Sequence, residues 1–268
     1  MTQSLQDGFD CHTHLDFPCF EPDREQVVTR ARKAGVTRWT IAATEPKYWA
    51  RVMRVARQTG GTPLLGIHPW WADTIEEHTL ESTLNTLANH PGVCGIGEIG
   101  LDYHRAPPGP QRAHQQAVFR AQLALARERD WPVVIHCVRA WNDMLQILRS
   151  DGLAAVGGLL HGWAGSPQAV TETLNLNICL SFGSAIAHPY RKKARASLQA
   201  TPLHQLCLET DSPDQPLPGQ LRSEPAHLPQ IAAIAADLKE CSVEQLWKHC
   251  GENARSLWPA PSPANPHD

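Results

Sequence analysis

Eight short apolar runs, each followed by a segment of helical pattern, recur from one end of the 268-residue chain to the other, and this alternation limits the fold more than any other feature. The runs fall at 8–17, 36–43, 63–70, 93–103, 131–138, 155–163, 177–182 and 204–211. Helical patterns occupy 23–34, 46–58, 77–89, 113–129, 141–149, 167–174, 189–198 and 224–238, and a helical appendix covers 243–250 and 253–258. Runs that are apolar throughout, not alternating, belong to strands buried on both faces, as in a parallel sheet covered by helices. Eight βα units predict an α/β fold, the closed (β/α)8 TIM barrel. The competing doubly wound sheet would place a Gly-rich phosphate turn after its first strand, and none is there. One domain over 1–258 and a disordered, Pro-rich tail over 259–268 (PAPSPANPHD) complete the expected organisation. Local signals agree: Asp23 stands where a helix cap belongs, and Gly35 follows a last turn rich in Arg and Lys.

Composition narrows the setting. The longest apolar stretch within a helix, 231–236, is far short of the roughly 18 residues that span a bilayer, so no membrane is expected. The opening residues, MTQSLQDGFD, lack the basic start and apolar centre of a secretory signal, which points to the cytoplasm. There the eight cysteines stay reduced; Cys11, Cys94, Cys137, Cys179 and Cys207 sit in apolar runs and are expected in the core. A formal net charge of −3 excludes broad, counterion-driven nucleic-acid binding. The basic cluster Arg191, Lys192, Lys193 and Arg195 reads as a solvated helix face.

In a barrel of this type chemistry sits at the C-terminal ends of the strands, and nearly every run ends in a polar residue suited to it. The first closes on His12 and His14, which an extended chain turns to one side. The third carries His68, the fourth Glu98 and Asp102, the fifth His136, the sixth His161 and the eighth Asp211. The His-x-His pair alone fits either a metal or a plain polar pocket. Glu98 lies in VCGIGEIGLD and Asp211 in LCLETDSP, where an unpaired carboxylate costs several kcal/mol or stays protonated. Neutral imidazoles do not neutralise two acids, whereas two divalent cations do, so the constellation favours metal binding over a metal-free network.

The stretches DCHTHLD, GIHPW, GEIGLDYHR, QQAVFRAQLALA, VVIHC, HGWAG and LETDSP together resemble the TatD family of metal-dependent hydrolases, deoxyribonuclease-like members of the amidohydrolase superfamily, over about 9–257. The resemblance implies that His12, His14 and Asp211 bind one metal ion, that Glu98 bridges two, and that His136 and His161 bind the second. It implies two divalent ions per chain, and the mixed imidazole and carboxylate donors suit Zn²⁺, Mn²⁺ or Co²⁺, with Mg²⁺ preferring fewer imidazoles. A two-metal centre of this kind acidifies water for attack on a phosphodiester, with Glu98 and Asp211 as catalytic groups and Asp211 placed to accept a proton.

The implied substrate is DNA, single-stranded and degraded from an end, with substrate contacts expected from His68, Asp102, His104, Arg105, Arg139 and Trp163. Trp70, Trp71, Trp141 and Trp163 follow strand ends, where aromatic rings can stack bases or simply pack. Three departures from the family pattern bear on the substrate. Arg139 stands three residues after His136 where the family places an arginine two after; HGWAG replaces a Phe- and Ser-bearing motif; and Arg222, Ser223, Glu224, Pro225 replaces Arg-Asn-Glu-Pro. Two other functions stay open: hydrolysis of another ester or amide, for example a charged tRNA, and service as a subunit of a larger assembly with little turnover.

Overall fold

A computed structural model describes residues 5–259 of the chain; all but the first residue of the tail expected over 259–268 lies outside them. Strands β1 Gly8–Asp10, β2 Val36–Ala42 and β3 Thr62–Leu64 form one parallel ladder. Strands β4 Ile96–Asp102, β5 Val133–Val138, β6 Gly158–Leu160, β7 Ile178–Phe182 and β8 Leu206–Leu208 form a second. Two seams join them. Leu65 bridges Ile96, with Gly97 N donating to Leu65 O at 3.0 Å, and Thr13 bridges Ser212, with Cys11 N donating to Leu208 O at 3.1 Å and His14 N to Ser212 O at 2.7 Å. Backbone pairing thus passes round the ring, and the fold is the expected (β/α)8 barrel.

The outer helices are α1 Arg24–Lys33, α2 Trp49–Thr59, α3 Glu77–Ala88, α4 Pro110–Arg129, α5 Trp141–Asp151, α6 Pro167–Thr173, α7 Lys192–Ala200 and α8 Leu228–Lys239. These helices pack on the strands and on one another; α2, for example, buries Val52, Met53, Val55 and Ala56 and ends at Gly60, whose φ of +76° suits a residue without a side chain. The core is mostly the layer between these helices and the strands. A second apolar cluster fills the barrel itself, where Phe9, Cys11, Leu64, Val134, Leu159 and Cys207 meet Ala254, Leu257 and Trp258 from the end of the chain. No helix among the described residues is long and apolar enough to cross a membrane.

Several local expectations are corrected. Strands are shorter than the apolar runs, because the residues just beyond them leave the ladder and turn their side chains into the mouth; His12, His14, His68, His161 and Asp211 all follow a strand end, and His204 lies in the short helical turn Leu203–Gln205 instead of β8. The appendix is one helix, α9 Val243–Leu257, unbroken at Gly251, because packing over the barrel floor outweighs the roughly 1 kcal/mol helix cost of glycine. Asp23 makes no capping bond; its carboxylate pairs with Arg30 and Arg222. Cys94 precedes β4 and is exposed, while Cys137 and Cys179 are only partly buried.

Candidate metal centre

Glu98 stands at the middle of the mouth, almost wholly buried on β4. The strand comes close to β5 because residue 100 is glycine: its φ is +134°, and a Cβ there would lie 2.1 Å from His136 O. On one side of the Glu98 carboxylate, Oε2 is 3.3 Å from His12 Nε2 and 3.4 Å from His14 Nε2. Asp211 Oδ1 completes that group at 3.5 Å from His12 and 3.6 Å from His14, whose Nε2 atoms are 3.1 Å apart. On the other side, Oε1 is 2.8 Å from both His136 Nδ1 and His161 Nε2, and these two nitrogens are 3.2 Å apart.

The surrounding hydrogen bonds fix which ring nitrogen is presented. His14 Nδ1 donates to Ala42 O at 2.9 Å, leaving Nε2 for the centre. His136 Nε2 faces Asp102 Oδ2 at 3.3 Å, leaving Nδ1. His68 is arranged in the opposite sense: its Nδ1 accepts from Trp70 N at 3.1 Å, so a neutral ring carries its proton on Nε2 and donates to Glu98 Oε1 at 3.1 Å. His68 therefore supports the carboxylate and does not offer it a lone pair. Thr13, between the two ligand-like histidines, points away and donates to Thr40 O at 2.6 Å, as the alternation of an extended chain requires.

This donor set suits divalent cations. Glu98 Oε2 and Asp211 Oδ1 each lie 3.3–3.6 Å from His12 Nε2 and His14 Nε2, which are themselves 3.1 Å apart, close to the ~3.3–3.4 Å between neighbouring donors that each stand ~2.0–2.1 Å from a divalent ion. Donor atoms fall within 4.8 Å of one another in three groups: His12, His14 and Asp211; His12, Glu98 and His161; and His68, Glu98 and His136. The electrostatics agree. Burial pushes His12 down to about 4 and Asp211 up to about 6, the latter opposed by His161 and His14. Burial opposes charge on His14 too, but Glu98 and Asp211 outweigh it and raise it to about 9. Glu98 is held well below its ordinary range because the surrounding imidazoles overcome its burial. Two acids in an apolar ring demand positive charge, and protons and metal ions compete for the same lone pairs.

The expected substrate-facing residues are placed less uniformly. His68 is buried beside Glu98, and Asp102 is turned inward, accepting from Trp70 Nε1, His104 N and His136 Nε2. Arg105 lies over the Trp70 ring at 3.6 Å from its centroid, and the His104 side chain is exposed at the rim. Arg139 is exposed on a backbone of φ +55°, and Trp163 is buried, its ring lying flat over Gly165, where a Cβ would come within 2.1 Å of the indole. Gln115 and Phe119 share a buried helix face, and Gln115 accepts from Asp102 N at 3.1 Å and donates to Pro69 O at 3.0 Å.

Two buried acids and one exposed amide were not foreseen as part of the site. Glu209 accepts from Gly162 N at 2.6 Å and from the Ser181 hydroxyl, with His161 Nδ1 at 3.8 Å. Asp10, pushed up to about 8 by burial, bonds Thr210 through N at 2.9 Å and Oγ1 at 2.5 Å. Gln215 Nε2 donates to Asp211 Oδ2 at 2.6 Å. Glu209 was detectable, being an acid two residues before Asp211 in a run with no solvent-facing side; Gln215 carried no signal.

The TatD related DNase family profile matches residues 9–259. An uncharacterized metal-dependent hydrolase of Bacillus subtilis, YabD, is 33% identical over 93% of this chain and 98% of its own length. The 3'-5' ssDNA/RNA exonuclease TatD of Klebsiella pneumoniae is 34% identical over 93% of this chain and 97% of its own. Among solved structures, the TatD homologue YJJV of Escherichia coli superposes with a TM-score of 0.87 at 31% identity, covering 95% of this chain and 99% of that one.

Proposed function

The chain belongs to the TatD related DNase family and is a metal-dependent hydrolase, and from that premise we propose that it cleaves phosphodiester bonds of single-stranded DNA from an end. The observation that supports this best is the single carboxylate of Glu98 with two groups of imidazoles on its two oxygens. In this proposal His12, His14, Glu98 and Asp211 hold one divalent ion and Glu98, His136 and His161 a second, drawn from Zn²⁺, Mn²⁺, Co²⁺ or Mg²⁺. When bound, such ions acidify water towards neutral pH and neutralise phosphate charge.

The chain's own groups do the rest. Asp211, raised to about 6 and anchored by Gln215, accepts the proton of the attacking water. His68 steadies Glu98, and Asp102 orients His136. Arg105 and Arg139, exposed at the rim, meet the phosphate backbone, with His104 and Trp163 flanking it. The Klebsiella relative, a 3'-5' ssDNA/RNA exonuclease by name, supports a single strand attacked from an end, and a net charge of −3 does not favour counterion-driven binding of a duplex. The free cysteines suit the reducing cytoplasm. The test is digestion of end-labelled single-stranded, duplex and circular single-stranded DNA with each metal, using Asp211→Asn as control. Linear single strands should shorten rapidly while the circle is spared; metal-replete protein that cleaves no DNA refutes the proposal.

A further inference from the structure

A cleft of about 620 Å³ opens beside His161, between the loops that follow β5 and β6 and the start of α7. Its charge is opposite in sign to that of the whole chain: Arg112, Arg139 and Lys193 line it against one carboxylate, Asp143. That carboxylate is engaged, accepting from Tyr103 Oη at 2.6 Å and from Gln116 Nε2 at 3.1 Å. Arg112 is engaged as well, donating to Ala106 O at 3.0 Å and lying over Tyr103. Arg139 and Lys193 are exposed and make no hydrogen bond or ion pair to another described residue, so two cations face the cleft unspent.

Beside them stands a braced aromatic surface. Trp141 lies edge-on to Trp163 at a centroid distance of 5.1 Å and 84°, and its Nε1 donates to Glu172 Oε2 at 2.8 Å. Both contacts fix the indole before any ligand arrives. The wall behind is fixed too: Ser197 Oγ donates to Gly165 O at 2.6 Å, fastening α7, and with it Lys193 one turn earlier, to the loop that carries Trp163. Two free cations next to a held aromatic face match a nucleotide, an anionic phosphate joined to a flat base.

We propose that this cleft is the subsite for the nucleotide next to the scissile phosphate, its phosphate held by Arg139 and Lys193 and its base stacked on Trp141. The assignment rests on the phosphodiesterase reading above and adds Lys193 and Trp141 to it. Trp163 is the support behind the platform, not the platform itself. A cleft reaching from His161 to α7 leads the strand away from the centre over the β5 and β6 loops.

The test is fluorescence anisotropy of a labelled, phosphorothioate-linked oligothymidylate, which resists hydrolysis, titrated with metal-replete wild type, Trp141→Ala, Trp141→Phe and Lys193→Ala. Loss of one stacking or one phosphate contact should weaken binding about tenfold, while Trp141→Phe, which keeps a ring, stays within about threefold. All variants should carry as much metal as wild type and keep its thermal midpoint, since neither Trp141 nor Lys193 is among the residues that would hold the ions. Unchanged oligomer binding by Trp141→Ala and Lys193→Ala, or no binding by wild type, overturns the subsite. Wild type that binds the oligomer but hydrolyses no phosphodiester overturns the proposed reaction instead and leaves the subsite standing.

Discussion

The indole Nε1 of Trp70 donates to Asp102 Oδ2 at 2.5 Å, and the same oxygen faces His136 Nε2 at 3.3 Å. A tryptophan 44% exposed at the rim is thereby joined through one carboxylate to an imidazole of the centre. Partners of this kind hold a ligand's ring orientation and tautomer, and losing them costs about 10–100-fold in metal affinity. Asp102→Asn should therefore lower affinity at the His136 and His161 side by about that factor, and Trp70→Phe by less. Competition with a chromogenic chelator measures both; affinities equal to wild type would show that the contact is incidental.

Glu98→Ala removes the one carboxylate that touches both groups of imidazoles. Turnover should fall by about 10² or more, because no other carboxylate among the described residues lies within hydrogen-bond reach of both groups. Far-UV circular dichroism should remain that of the wild type, since the strand is held by its ladder. A folded variant with near-normal activity contradicts the bridging role.

Elemental analysis after mild purification should find up to about two divalent ions per chain. Chelation should abolish activity and lower the thermal midpoint, because an ion bound only to the folded chain adds about 2.7 kcal/mol at a free concentration one hundred times its Kd. Protein that carries no metal and rebinds none on titration would refute the metal assignment.

A fourth outcome concerns pH. Glu224 is held below its ordinary value of 4.5: burial would raise it, but Arg30, which donates through Nε at 2.8 Å and Nη2 at 2.9 Å, and Arg222 outweigh this. A depressed carboxyl stabilises the fold above its unfolded pKa, and that contribution is lost as pH falls through the lower, folded value. Glu224→Gln should thus melt below wild type at pH 7, by about 1–3 kcal/mol for a charged hydrogen-bonded partner. The gap should narrow once the pH drops below 4.5. A pH-independent difference would mean that packing, not charge, is responsible.

Much of this was legible in the sequence because the barrel writes its periodicity plainly. Runs such as Val133–Val138 are apolar on both sides for a physical reason, being enclosed by helices, and acids such as Glu98 stand out because that enclosure leaves them no water. What stayed hidden depended on distance in the chain. Trp70 and Asp102 are 32 residues apart, and Glu209 serves Gly162 across 47; such pairings arise only when the ring closes. Local rules also gave way to tertiary ones. Asp23 has the right type and place for a cap, yet two arginines brought in by α1 and the segment before α8 hold its carboxylate more strongly than backbone amides would.

The packing of α9 against the barrel floor has a consequence for traffic. Trp258 and Leu257 close the end opposite the mouth, and Phe9, Leu64, Val134 and Leu159 fill the bore above them, so the molecule is a cup and not a tunnel. Whatever enters must leave by the same door.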